Sequence, residues 1–440
     1  MFELNEFILK KAEELGFGDV VVLSYESNRR QVRFANNEIT VAKHWHERKV
    51  KLFVEKDKRV ATTTLTELSG GNIERTLKTL LRSVENLSPK EDYHGIAKGP
   101  FQYKNIPETF DRAIVELDEP DDYVEVAINT ALSKGAKRVA GVLYTDHNKV
   151  YLTTSNGVEA FDEGTRIEIS VRAFVGDLES GHGTYSARVL KRFTPELAGS
   201  KAGEIAHMAR NPAQGPEGKF DVIFDPLAFA NLLSYMGSML SAYAAEAGFS
   251  FLAGKLGERV ASELVTLKDV GNLPNGYGSR KFDDEGVPTR ETTVIEGGTF
   301  KTFLLNTSLA KKYGRGTTAN AGLIMPRPWN LVLEPGDYSN AELFSEVKRG
   351  IYITNVWYTR FQNYVSGDFS TIPRDGIFLI ENGEFKPIRN IRVSDNLARI
   401  LSNVTAIGNE PFQVHWWEVS RPVITSYVLV KEVGITRATK

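Results

Sequence analysis

Cysteine is absent from the 440-residue chain. That excludes a disulfide framework, a thiol nucleophile and a thiolate metal ligand, and it makes a reducing cytoplasm the expected compartment. A surplus of charge of either sign is missing too: 54 Lys and Arg stand against 56 Asp and Glu, a formal net charge of −2. So balanced a chain offers no electrostatic case for nucleic acid or an anionic membrane as its main partner. No G-x-x-x-x-G-K-S/T, no G-x-S-x-G and no C-x-x-C occurs, so phosphate-loop, nucleophile-elbow and dithiol chemistry have no motif to rest on. The N-terminal MFELNEFILKKAEELGFG scatters acids and lysines among its apolar residues, as an amphipathic helix does and an apolar signal core does not. One run, Pro226 to Ala245, holds 20 residues without a charge, enough to span a bilayer. Asn231, Ser234, Ser238 and Ser241 recur through it, and Asp225-Pro226 supplies an N-cap followed by proline at the first helical position. The expectation is a buried core helix.

What is present is ordinary for a globular protein: 41% apolar and 25% charged residues. The length favours two or three domains. The first half reads as helix, strands, helix, twice over. Residues 2–15 have helical spacing; 20–23, 31–34, 49–54 and 60–65 read as strands around a Glu55-Lys56-Asp57-Lys58 hairpin tip. Asn72 is the expected cap of a helix striped by Ile73, Leu77, Leu80, Leu81, Val84 and Leu87. A second helix over 123–132, strands over 139–144, 150–153, 166–174 and 184–190, and a helix over 195–209 repeat that order. Both units carry an asparagine turn, Asn36-Asn37 and Asn156-Gly157, so a degenerate duplication is expected. Asn211 to Gly218 is turn-rich and without an apolar anchor, dividing the chain into an α+β domain over 1–212 and a β-rich domain over 217–440. There, short segments such as 292–295, 300–305, 330–333, 351–356 and 377–380, and an Asn382-Gly383 hairpin, suggest a sandwich or barrel around the buried helix. The fold class is therefore α+β.

Candidate chemistry is sparse. His44-Trp45-His46 on a strand would put both imidazoles on one side, yet no third metal ligand can be placed beside them. Ser180-Gly181-His182-Gly183 brings a hydroxyl near an imidazole, but its glycines point to a hairpin turn. Asp283-Asp284-Glu285-Gly286 can hold a cation or receive a peptide amine, or be solvated loop acids. Because unpaired carboxylates are costly to bury, the three are expected on a loop face near a cavity or subunit contact, anchored by Phe282, rather than in packed core.

A longer series is more specific. Phe251-Leu252-Ala253-Gly254-Lys255-Leu256-Gly257-Glu258 is followed by Phe282 to Thr289, Ile295-Glu296-Gly297-Gly298 and Thr318-Ala319-Asn320-Ala321-Gly322. Lys348 to Tyr352, Ser366-Gly367-Asp368-Phe369-Ser370, Leu379 to Gly383 and Ala406-Ile407-Gly408-Asn409 complete it. In order and spacing this series resembles the TldD/PmbA family, whose PmbA members are also called TldE and were once termed modulators of DNA gyrase. Arg33 to Asn37 resembles that family as well, and the resemblance spans essentially the whole chain.

The resemblance implies a cytosolic zinc metallopeptidase system acting on unfolded peptides. In that family TldD carries zinc on an H-E-x-x-x-H helix completed by a C-terminal cysteine, while TldE lacks these ligands and assembles with TldD. The matching helix here, around Leu232 to Met239, has neither His nor Glu, and Phe412 to Tyr427 offers His415 but no cysteine. A catalytic zinc needs about three protein ligands, so the likeness is to TldE. The expectations are no catalytic or metal residue and no cofactor on this chain, zinc on a TldD-like partner, and Ser234 and Ser238 as degenerate metal-helix positions whose face, with Gly237 and Ser241, admits close packing. Asp283, Asp284, Glu285 and Asn320 are the candidate peptide-cleft or interface residues. The partner is a TldD-like subunit or a second copy, with no nucleic acid and no membrane. The rival is a stand-alone homodimeric peptide-binding protein without hydrolysis; a hydrolase with a relocated site at Asp283-Asp284-Glu285 or His44/His46 is the third option.

Overall fold

The computed structural model of the chain describes residues 1–177 and 179–437. In the first half, α1 (Phe2–Glu14), β1 (Val20–Ala35), β2 (Glu38–Lys56), β3 (Arg59–Leu65) and α2 (Gly70–Glu85) form one unit. After the one-turn α3 (Arg112–Val115), the order recurs in α4 (Asp121–Ser133), β4 (Arg138–Thr154), β5 (Glu159–Phe174), β6 (Ser180–Ala187) and α5 (Pro195–Met208). All six strands make one sheet in the order β3-β2-β1-β4-β5-β6. The first strand of each unit thus meets its counterpart at the centre, the palindromic order that two copies of one helix–strands–helix unit produce.

Strand alternation sets the two faces. Val20, Val22, Val32 and Phe34 of β1 pack beneath the helices. Val21 and Leu23 point the other way, into a cluster that includes Phe282 of the second domain. α2 buries Ile73, Leu77, Leu80 and Val84, but its N-cap is Ser69; Asn72 lies one turn in and bonds back to the Glu67 carbonyl, and Leu87 is exposed beyond the helix.

Two differences from the sequence expectation have one cause. Residues 20–23 and 31–34 belong to a single strand, as do 139–144 and 150–153. β1 and β4 pair without a register break from Val21↔Thr154 to Phe34↔Gly141. The polar stretches between the apolar runs continue the backbone ladder while their side chains, mostly half-buried, lie outside the apolar clusters, so hydrophobic alternation lapses where the strand does not. Ser180 to Gly183, expected as a turn, lies in β6 and is buried. Its glycines allow α5 to come close: a Cβ on Gly181 or Gly183 would stand 2.1 Å from the Ala202 carbonyl oxygen or 2.2 Å from that of Ala198.

The second half begins with β7 (Ala213–Gln214), β8 (Gly218–Phe224), α6 (Pro226–Met239) and α7 (Ala242–Glu246). It continues through β9 (Leu267–Val270), β10 (Glu291–Glu296), β11 (Thr299–Phe300), α8 (Thr307–Lys312), β12 (Leu331–Leu333) and α9 (Asn340–Ser345). Last come β13 (Arg349–Asn363), β14 (Asp368–Glu381), β15 (Glu384–Arg389), β16 (Ile391–Asn396), α10 (Leu397–Ser402), β17 (Val404–Ile407), β18 (Phe412–Trp416), β19 (Val419–Thr425) and β20 (Val428–Arg437). β8, β13, β14, β16 and β20 pair in a ring, with β20 returning to β8, and so close a barrel. The sheet β11-β10-β9-β12-β19-β18 lies beside it, and α6 shares one apolar cluster with both. The expected strand over 300–305 shrinks to β11, with Leu304 making an isolated bridge to Ser241.

α6 is capped as expected, the Asp225 carboxylate accepting from the Leu227 N–H at 2.9 Å. It ends at Met239, however, so the uncharged run is two helices and Ser241 lies outside α6. Among the described residues no helix is long and apolar enough to cross a membrane.

Candidate functional site

The helix-free face of the first sheet is partly covered by the second domain, and a groove remains between them. Three adjoining cavities of about 440, 840 and 320 Å³ make up the groove, and Ser420 borders all three. Its floor is built by the outward positions of the strands: Tyr25, Arg29, Gln31 and Arg33 of β1, Lys51 of β2, Tyr144 and Asp146 of β4, Arg166 and Arg172 of β5. Its roof comes from the segments around Tyr277–Arg280, Arg327–Trp329 and His415–Arg421.

One end is basic. Arg188 is 4% exposed, and its guanidinium donates to the carbonyls of Thr109 (2.7 Å), Ser279 (3.0 Å) and Gly276 (3.1 Å). Burial, with Arg166 nearby, pushes it down to about 9. The acidic triplet lies behind this end and is not on an open loop face: Asp283, Asp284 and Glu285 are all buried. They escape the cost of unpaired burial in two ways. Asp284 is paired, accepting from Arg280 (2.6 Å) and Arg327 (3.1 Å); burial opposes its charge, but the two arginines hold it below the ordinary carboxylate range. Asp283 accepts the N–H groups of Val287, Glu285 and Ala321; burial first, and then the Asp284 charge, push it up, and burial followed by the Asp283 charge pushes Glu285 up. Asp284 and Glu285 border a separate cavity of about 190 Å³. Asn320, fully buried, donates to Asp269 and to the Arg327 carbonyl (3.0 Å). It shapes the loop that presents Arg327 and lines none of the groove's three cavities.

The middle is aromatic. His415 bonds Glu168 through Nδ1 and stacks on Tyr277 at 4.2 Å. Burial opposes the charge of Glu168, but His415 outweighs it and holds the carboxyl below its usual range. Nearby, Ser170 Oγ lies 2.8 Å from His182 Nε2, a contact that invites a nucleophile assignment. The tautomer excludes it. Asn355 is fixed by the Val356 N–H on its Oδ1 (2.8 Å) and by Asp375 on its Nδ2 (3.0 Å), so Nδ2 is the group that meets His182 Nδ1 at 3.0 Å. Nδ1 therefore accepts, Nε2 carries the proton, and His182 donates to Ser170 instead of drawing its proton. Ser180 turns away to Asp375 (2.8 Å).

The other end is α6. Ser234 and the exposed Ser238 border the 320 Å³ cavity with Tyr235, Tyr358, Arg360 and Glu418. Ser234 Oγ accepts from the Arg421 backbone N–H at 3.1 Å, and Gly237 sits against Leu331 and Pro328. Zinc does not fit this set: one carboxylate among hydroxyls and a guanidinium lacks the donors a catalytic ion requires. Among the described residues no group of three or more His, Cys, Asp or Glu is arranged to hold a metal. His44 and His46 are exposed on β2, with Glu26 3.4 Å from His46.

Three family models match consecutive stretches of the chain: PmbA/TldA metallopeptidase domain 1 over residues 20–85, the central domain over 111–210 and the C-terminal domain over 217–437. The chain belongs to the PmbA/TldD metallopeptidase family. A metalloprotease of Methanothermobacter thermautotrophicus is 28% identical over 340 residues, 72% of this chain and 74% of that protein. A Thermotoga maritima protein described as a modulator of a DNA gyrase superposes with a TM-score of 0.85 at 27% identity, over 99% of this chain and 100% of its own. TldE from Thermococcus kodakarensis has the same fold, with a TM-score of 0.84 at 23% identity over 98% and 100% of the two chains.

All three stretches matched by the PmbA/TldD models contribute to the groove. Sequence reasoning missed its floor: Tyr25, Arg29, Lys51, Arg166 and Arg172 carry no motif. The available signal was alternation in β5, where Arg166, Glu168, Ser170 and Arg172 interleave with Ile167, Ile169 and Val171 and mark a strand with one face outside the apolar core. In β1 and β4 no such alternation runs between the apolar ends.

Proposed function

We propose that this chain is the TldE-type, non-catalytic member of a two-chain metallopeptidase, holding unfolded peptide in the groove while a TldD-like partner supplies the zinc and the cleavage. The carrying observation is α6: where the family resemblance places the zinc ligands, this helix presents Ser234 and Ser238 to the groove, with only Glu418 as a carboxylate beside them. The His182 tautomer adds to it, since it leaves Ser170 without a general base. A floor of extended strands under aromatic and basic side chains suits an extended peptide, and the absence of cysteine suits a cytosolic setting.

Co-purification from the native cell is expected to bring down a second family chain carrying H-E-x-x-x-H, with only the mixture cleaving an unstructured peptide. Stoichiometric, tightly bound zinc on this chain purified alone, or hydrolysis by it alone, sinks the reading. A self-associated species whose peptide affinity is indifferent to an added partner makes it a stand-alone binding protein instead.

A further inference from the structure

The basic end of the groove holds more positive charge than the protein neutralises. Arg29, Lys51, Arg166 and Arg421 border the 440 Å³ cavity, and among the described residues none of them has a carboxylate within 4.0 Å. Arg188 behind them is bonded to carbonyls alone, so no carboxylate hydrogen-bonds to it. Asp284 is one carboxylate shared by two guanidiniums. The Nε groups of Arg29 and Arg327 are buried without a hydrogen-bond partner, and donors left this way are costly unless something arrives to accept from them. The crowding registers on the cations: Lys51 and Arg421 are pushed down, by burial first and then by Arg327.

We propose that this basin seats one carboxylate of the bound peptide, an acidic side chain or a free C-terminus, with Lys51, Arg327 and Arg421 as its specificity-determining contacts. The assignment rests on the groove being a peptide site. A single carboxylate suits the basin better than a polyanion. Asp146, Asp162 and Glu163 border the same cavity and would repel a string of phosphates, whereas one carboxylate pairs with an arginine fork. Away from the basin the lining turns aromatic, with Tyr144, Trp416 and Trp417, which suits the remainder of a peptide.

The test is fluorescence anisotropy of the full chain with a dye-labelled, unstructured nonapeptide. Glu is scanned through it against Gln, and each form is made with a free and an amidated C-terminus. Removing the seated carboxylate is expected to weaken binding roughly tenfold, and the arm that does so tells side chain from terminus. The double variant Lys51→Gln/Arg421→Gln should shrink that preference below about twofold, whereas Lys386→Gln on β15, which borders none of the groove's three cavities, should keep it. Should the double variant melt early, Lys51→Gln alone carries the same comparison. Equal binding of all peptide forms by the parent, or an undiminished preference in the folded variant, overturns the carboxylate seat and leaves the peptide reading intact. If the parent binds no peptide, the peptide reading fails. The basin is then judged by melting temperature in N-acetylglutamate against N-acetylglutamine: a carboxylate-specific rise lost in the variant supports it, and no rise overturns it. Steeply salt-dependent binding of a single-stranded oligonucleotide, tighter than any peptide, would also overturn it in favour of a polyanion.

Discussion

Asp375 shows how much one side chain can join. Its side chain is buried on β14, from a left-handed backbone with φ +63°, and takes bonds from Arg172 (2.7 Å), Ser180 (2.8 Å) and Asn355 (3.0 Å). Two of these donors come from the first sheet and one from the barrel, so the carboxylate pins the domains together at the edge of the groove. Burial opposes its charge, and Arg172 holds it below the ordinary range against that opposition. Asp375→Ala leaves the guanidinium and two polar groups without their acceptor and is expected to cost about 3–5 kcal/mol, measurable as a lowered urea midpoint at unchanged m-value. The pair Ser180 and His182 was visible in the sequence. Their partners were not, because Asp375 and Asn355 lie 195 and 173 residues away, beyond the reach of any local pattern.

At the scale of elements, what faces apolar surroundings was legible and what faces the groove was not. α6 could be recognised from its N-cap and lack of charge because it is buried nearly all round; the ends of β1 and β4 were visible, but their polar middles resembled loops. Glycine misled in β6, where it serves helix approach instead of a turn. Gly181→Ala must push α5 away from β6 and is expected to destabilise by about 1–3 kcal/mol, read by thermal melting. α6 also answers whether the helix alone makes a zinc site. The triple variant Leu233→His/Ser234→Glu/Ser238→His restores H-E-x-x-x-H. It brings no third ligand of the family kind, and it places an imidazole where Leu233 is 1% exposed. It is expected to lose about 2–4 kcal/mol, to bind no stoichiometric zinc and to hydrolyse no peptide. A stable, zinc-loaded, active variant would show that the groove kept a catalytic geometry.

Across the whole molecule, buried carboxyls behind the groove set the response to pH. Burial pushes Asp269 up to about 7, burial and then the Asp284 charge raise Asp283 to about 7, and burial and then the Asp283 charge raise Glu285 to about 8. Groups raised on folding bind more protons in the folded state, so their contribution is whole below the ordinary carboxyl range near pH 4 and is lost as pH rises through about 7. His182, which burial pushes down to about 4, works the other way below its usual value, but it is one group against three. The melting temperature is therefore expected to rise as pH falls from 8 to 5, and Glu285→Gln to flatten that rise. An opposite slope would mean that these carboxyls are ionised and paired in the folded chain. The acidic triplet was legible as a cluster, but its place was not, because the arginines and backbone N–H groups that make burial tolerable come from other segments.

The barrel's closure carries a consequence for the order in which the molecule is made. β8 pairs with β20, Gly218 with Ile435, so the ring opened by the first strand of that domain is shut by its last. The first sheet uses no strand beyond β6 and can assemble while the rest of the chain is still being synthesised. The barrel cannot, and until β20 arrives, β8 and β16 each present an unpaired edge. During synthesis the groove would thus have a finished floor before a finished roof, and the roof's last stretch to emerge, around His415 to Arg421, is the one that brings in the final cation of the basin.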